Sequence, residues 1–185
     1  MFVAIRPPAE IREQLAEFLR PRQAMTWIDE AQWHVTLAFL ATVPTHREAD
    51  LADSLRRVAL RHNGFDLRLS GAGAFPNALE ARVLWLRPSV DLTPLATAVR
   101  GAANSVGATP DGQRFVGHLS AARLRRPMDA RRWLQVLDTF TSDSWPVEEI
   151  KLVASYLGEG PRGRPRHEVV ATLPLASPES ASHAE

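Results

Sequence analysis

Trp33-His34-Val35-Thr36-Leu37-Ala38-Phe39-Leu40 is a short run rich in aromatic and β-branched side chains, closed by Pro44. Its length and composition predict a strand. Side chains alternate across a strand, so His34 and Thr36 share one face while Trp33, Val35 and Leu37 share the other. An imidazole and a hydroxyl are thereby presented together, with apolar residues anchoring them from behind. Nearly half the chain later, Gly117-His118-Leu119-Ser120-Ala121 repeats the pattern, with His118 and Ser120 opposite Leu119 and Ala121. Both are H-x-[ST] on predicted strands; His46, His62, His167 and His183 lack the motif.

Outward from these two segments the chain alternates helical and extended signals. Phe2 to Ile5 reads as a first strand, and Ile11, Leu15, Phe18 and Leu19 make the apolar face of a helix that Pro21 ends. Thr45 with Glu48 three residues on predicts a capping box opening a second helix with Leu51, Leu55 and Val58 inward. Phe65, Leu67 and Leu69 alternate with polar residues, and Arg82 to Arg87 forms another strand around Trp85. Thr93 and Pro94 fit the N-cap and first turn of a third helix. A strand is predicted from Phe115 to Leu124, a last helix after Pro127, and strands near Val147–Leu157 and His167–Leu173. This order implies an α+β fold with mostly antiparallel sheet. At this length the chain fits one domain or two small lobes sharing a core; residues 1–175 are assigned to that unit and residues 176–185 to a disordered tail.

Composition narrows the chemistry. In 185 residues, 45% are apolar and 23% charged, as in ordinary globular proteins, and no apolar run is long enough to cross a membrane. Cysteine is absent, which excludes disulfides, thiolate nucleophiles and Cys-type zinc sites, and points to the cytosol. The net charge is +1, with 22 basic residues of which Lys151 is the one lysine. Arginine is the better bidentate partner for phosphate, but coding bias can produce the same excess. For Arg125, Arg126, Arg131 and Arg132 the choices are a solvated helix face or, if they border a groove, a track for an RNA backbone.

Paired histidines suit a phosphodiester. In-line displacement needs a base for the incoming water and an acid for the departing oxygen, and two imidazoles can fill both roles without a metal. Hydroxyls and an arginine can stabilise the charge that builds on the non-bridging oxygens. Taken singly, either histidine would more often be structural than catalytic.

The sequence resembles the 2H phosphoesterases, in particular the bacterial and archaeal RNA 2',3'-cyclic phosphodiesterases, historically also called RNA 2'-5' ligases. The resemblance runs from Met1 to about Leu173. It rests on Phe2-Val3-Ala4-Ile5, on Trp33 to Leu40 as the first motif, on Arg82-Val83-Leu84-Trp85-Leu86, and on Arg114 to Ser120 as the second. The second motif departs from the family pattern, with Gly117 where Pro is usual and Ser120-Ala121 where Thr-Leu is usual. The resemblance implies a two-lobed fold, each lobe giving a sheet and one H-x-[ST] element to a central cleft. It implies His34 and His118 as the acid–base pair and Thr36, Ser120 and Arg123 as phosphate contacts. Phe39 would stack on a base or pack in the core.

The implied reaction is hydrolysis of an RNA or nucleoside 2',3'-cyclic phosphate to the 2'-phosphomonoester, with reverse 2'-5' joining, by a cytoplasmic monomer that uses no cofactor or metal and binds no membrane. Two other functions fit the same residues: an RNA-binding module that has lost catalysis, and an esterase for a small nucleotide cyclic phosphate.

Overall fold

The computed structural model describes residues 1–160 and 163–177. Nine strands and four helices occupy them: β1 (Phe2–Ile5), α1 (Ala9–Leu19), β2 (Val35–Phe39), α2 (Glu48–Ala59), β3 (Phe65–Leu67), β4 (Leu69–Phe75), β5 (Ala81–Pro88), α3 (Thr93–Ser105), β6 (Leu119–Met128), α4 (Arg131–Leu137), β7 (Trp145–Val147), β8 (Glu149–Tyr156) and β9 (Arg166–Pro174). Seven strands form one sheet in the order β4-β5-β6-β2-β1-β8-β9, every neighbouring pair antiparallel, while β3 and β7 pair separately. The fold is α+β, as the alternation of signals implied.

The large sheet has two halves. β4, β5 and β6 are joined by long ladders, as are β2, β1, β8 and β9, but between the halves β6 and β2 share only the pair Val35 and Leu119. One face carries the main core, to which α1 contributes Ile11, Leu15 and Leu19, α2 Leu51 and Leu55, and α3 Leu95 and Val99. Fully burying each such side chain stabilises the fold by about 1.5–3 kcal/mol. The other face holds a smaller cluster of Phe2, Ala4 and Val153, so β1 is buried on both sides.

Several local expectations are corrected. The Thr45–Glu48 capping box does not form: Thr45 lies in a 3-10 turn, and α2 starts at Glu48 without a side-chain cap. Thr93 is inside α3, and its N–H is capped from outside by the Asp91 carboxylate. The strand predicted from Phe115 starts only at Leu119, and it runs through Pro127 to Met128 because the proline falls in an irregular stretch of the ladder, between the Val83–Arg123 and Ala81–Met128 pairs. Arg125 and Arg126 consequently lie on a strand; only Arg131 and Arg132 lie on a helix. Ala176, assigned to the tail, donates its N–H to the His62 carbonyl and accepts from Gly64 N–H. Residues 178–185 of that tail lie outside the described residues. No described helix is long and apolar enough to cross a membrane.

Candidate functional site

The Val35–Leu119 pair places the two motifs face to face. Both residues are buried in the core. Stepping one position either way in an antiparallel register sets His34 across from Ser120 and Thr36 across from His118. Each histidine precedes the first residue of its strand, at the seam between the two halves of the sheet.

Strict alternation would send the residue five after each histidine into the core, and two β-bulges prevent this. On β2, Ala4 pairs with Thr36 and Val3 with Ala38, so Leu37 is an extra residue. On β6, Trp85 pairs with Ser120 and Leu84 with Ala122, so Ala121 is extra. In both cases the bulged residue and its successor are buried together, and alternation resumes one step out of phase. Phe39 and Arg123 are thereby returned to the face of the histidines, and Phe39 is 43% exposed.

The imidazoles are held in matching ways. His34 Nδ1 lies 2.6 Å from the Gln32 carbonyl oxygen and His118 Nδ1 2.7 Å from that of Val116. A carbonyl only accepts, so each Nδ1 carries the proton and each neutral ring keeps Nε2 as its free, basic nitrogen. His34 stacks on Phe2 with ring centroids 4.6 Å apart, and His118 meets the edge of Phe75 at 4.9 Å with Trp85 at 6.1 Å. Gly73 makes room for that wall, since a Cβ there would stand 2.1 Å from the Trp85 ring.

Burial pushes the His34 imidazolium down to about 4; its bond to Gln32 opposes the shift, and the neighbouring His167, Arg6 and Arg123 reinforce it. His118 is lowered too, by burial first and by Arg123. Without a ligand both rings are therefore neutral at neutral pH. A bound phosphate anion would draw a proton back onto one of them.

A cavity of about 550 Å³ is lined by all six residues singled out from sequence: His34, Thr36, Phe39, His118, Ser120 and Arg123. A second cavity of about 300 Å³ adjoins it, sharing Thr36, Phe39 and His118 and extending over Phe75, Phe115 and Gln113. Arg125, Arg126, Arg131 and Arg132 line neither cavity. Arg131 is engaged by Asp129, and His62 is spent locally on the Val58 carbonyl at the end of α2. Sequence reasoning missed Phe2, Gln32, Phe75, Trp85 and His167, which support the two rings or line the cavity. Among the described residues no group of three or more His, Asp or Glu side chains is placed to hold a metal.

The family model described as LigT-like phosphoesterase matches residues 5–85. The chain is 33% identical to an RNA 2',3'-cyclic phosphodiesterase of Escherichia coli, over 90% of this chain and 91% of that protein. It is 29% identical to one from Geobacillus stearothermophilus over 94% of this chain, which spans 56% of that longer protein. Among solved structures it superposes on TT0787 of Thermus thermophilus with a TM-score of 0.76 at 27% identity, covering 96% of this chain and 98% of that one. With E. coli LigT complexed with 3'-AMP the TM-score is 0.73 at 30% identity, covering 94% and 96%.

Proposed function

The chain belongs to the LigT-like phosphoesterase family, and from that premise we propose that it hydrolyses the 2',3'-cyclic phosphate of an RNA end or nucleoside to the 2'-phosphomonoester. The observation that carries the reading is the Val35–Leu119 pair, which sets two H-x-[ST] segments opposite one another over a single cavity.

In this reaction His34 and His118 flank one phosphorus. One Nε2 takes a proton from water as its oxygen attacks phosphorus. The other ring, protonated in the complex with the anionic substrate, gives its proton to O3' as the P–O3' bond breaks. Thr36 and Ser120 donate hydrogen bonds to the non-bridging oxygens and Arg123 balances the charge that gathers on them. Phe39 stacks on the base of the reacting nucleotide. Each imidazole contributes about 10²–10⁴-fold. With a 5'-hydroxyl in place of water, the same course, again breaking P–O3' and protonating O3', joins two ends by a 2'-5' bond. Both motifs come from one chain, so the acting unit is a monomer, and its setting is the cytosol. The 3'-AMP complex of the E. coli relative supports a nucleotide-sized ligand in this fold.

The test is incubation of the protein with an oligonucleotide ending in a 2',3'-cyclic phosphate, in EDTA, with the product mapped. A 2'-phosphate end supports the reading. An intact cyclic end on retained RNA would indicate a binding module, and turnover of cyclic mononucleotides alone would indicate a small-nucleotide esterase.

A further inference from the structure

The cavity extends past His34 into an arm that the hydrolysis of a cyclic phosphate does not use. Its wall there is made by Gln32, Ser155, Pro165 and His167. His167 stands on β9 in register with Ser155 of β8, its ring edge-on to His34 at 5.7 Å and to Phe2 at 5.1 Å. Those are ring contacts. Within the described residues no hydrogen bond occupies either ring nitrogen of His167 or the hydroxyl of Ser155. A half-buried imidazole beside an open cavity is thus left with its donor and acceptor unspent.

The arm is also electrically one-sided. Arg6 acts on both His34 and His167, and Arg123 on His34. Among the described residues the one carboxylate lining the cavity is Asp111, which the second cavity shares and which is paired with Arg100 at 3.4 Å. An arm with free hydrogen-bonding groups, nearby guanidinium charge and no carboxylate of its own fits a second anionic group on the ligand. In a substrate ending in a cyclic phosphate, the next anion along is the phosphodiester linking the terminal nucleotide to the rest of the chain.

We propose that His167, with Ser155 beside it, hydrogen-bonds that adjoining phosphodiester and so makes the site prefer a chain end over a free cyclic mononucleotide. This rests on the function proposed above. It is tested by the ratio of kcat/KM for a dinucleotide ending in a 2',3'-cyclic phosphate to that for the corresponding cyclic mononucleotide. In His167→Ala the ratio should fall about tenfold, as expected for the loss of a hydrogen bond to a charged group, and His167→Gln, which keeps a donor, should retain most of it. A ratio equal to that of the wild type, whether both rates fall together or neither does, would overturn the proposal and leave His167 acting only through His34. Dissociation constants for a nucleoside 3'-phosphate and a dinucleotide 3'-phosphate read the same contact without turnover. A wild-type protein that hydrolyses neither substrate would therefore refute the reaction, while an unchanged ratio of these constants in His167→Ala would refute the contact.

Discussion

Leu37 and Ala121 hold the same place in two strands, each the unpaired residue of a bulge three positions beyond a histidine. Each bulge adds one residue to its strand and turns the residue five beyond the histidine from the core to the cavity. The two halves of the site are thus built by one device used twice. A phenylalanine stands at the end of one and an arginine at the end of the other.

The bulge on β6 gives a first prediction. Inserting one alanine between Ala122 and Arg123 shifts the alternation by a further step and should drive Arg123 toward the core, where an unpaired charge costs about 3–5 kcal/mol. The Tm should fall sharply. Arg123→Ala should instead keep its Tm and lose about ten- to a hundredfold in kcat/KM, the range for a hydrogen bond to a charged group. An insertion variant as stable as the wild type would contradict the phase that the bulge sets for Arg123.

Gly73 gives a second. Its neighbour leaves no space for a methyl group, so Gly73→Ala should tilt Trp85, cost about 1–3 kcal/mol as overpacking does, and lower kcat through the wall beside His118. Trp85→Leu should cost stability by itself but absorb most of the Gly73→Ala effect, so the two losses will not add. Denaturant unfolding of the four proteins in the cycle checks this, and strict additivity would count against it.

How far these features were legible in sequence follows from their physics. The α+β class and the strands that follow the two histidines are periodic signals and stand in the structure, although each histidine lies one residue ahead of the strand that periodicity placed it on. The sequence also named Phe39 and Arg123, but by family resemblance; alternation alone places both in the core, because a bulge has no fixed sequence signature. The Thr45–Glu48 motif has the letters of a capping box, but a 3-10 turn occupies that corner. His167 carries no local pattern at all. It reaches the cavity through the pairing of β8 with β9 and of β1 with both β8 and β2, which no window of sequence contains.

Burial of His34 yields a prediction for stability against pH. Its folded value of about 4 lies below the ordinary 6.5, so between these values the unfolded chain binds more protons. The contribution is therefore complete above pH 6.5, declines as pH falls toward 4, and amounts to about 3 kcal/mol. Urea unfolding at pH 7.5 and 4.5 should show a smaller difference for His34→Gln than for the wild type. Equal differences would mean that His34 is not desolvated in the folded state.

Ser120 faces His34 across the seam, and in the proposed reaction it holds a phosphate oxygen. Ser120→Ala should lose about 1–3 kcal/mol of transition-state stabilisation, read as kcat/KM, whereas Ser120→Thr should be tolerated because the hydroxyl remains. Wild-type kinetics in the alanine variant would make the residue a strand filler.

The account stands most directly on the two histidines acting at one phosphorus, and single-turnover hydrolysis of a cyclic-phosphate oligonucleotide by His34→Ala, His118→Ala and the double variant measures it. Each single variant, folded by circular dichroism, should be slowed by about 10²–10⁴-fold. The double variant should fall short of the product of the two losses, because the residues work as a unit. The wild-type pH–rate profile should be bell-shaped, with values that belong to the pair. A folded single variant that hydrolyses the cyclic phosphate at close to the wild-type rate would contradict the two-histidine mechanism.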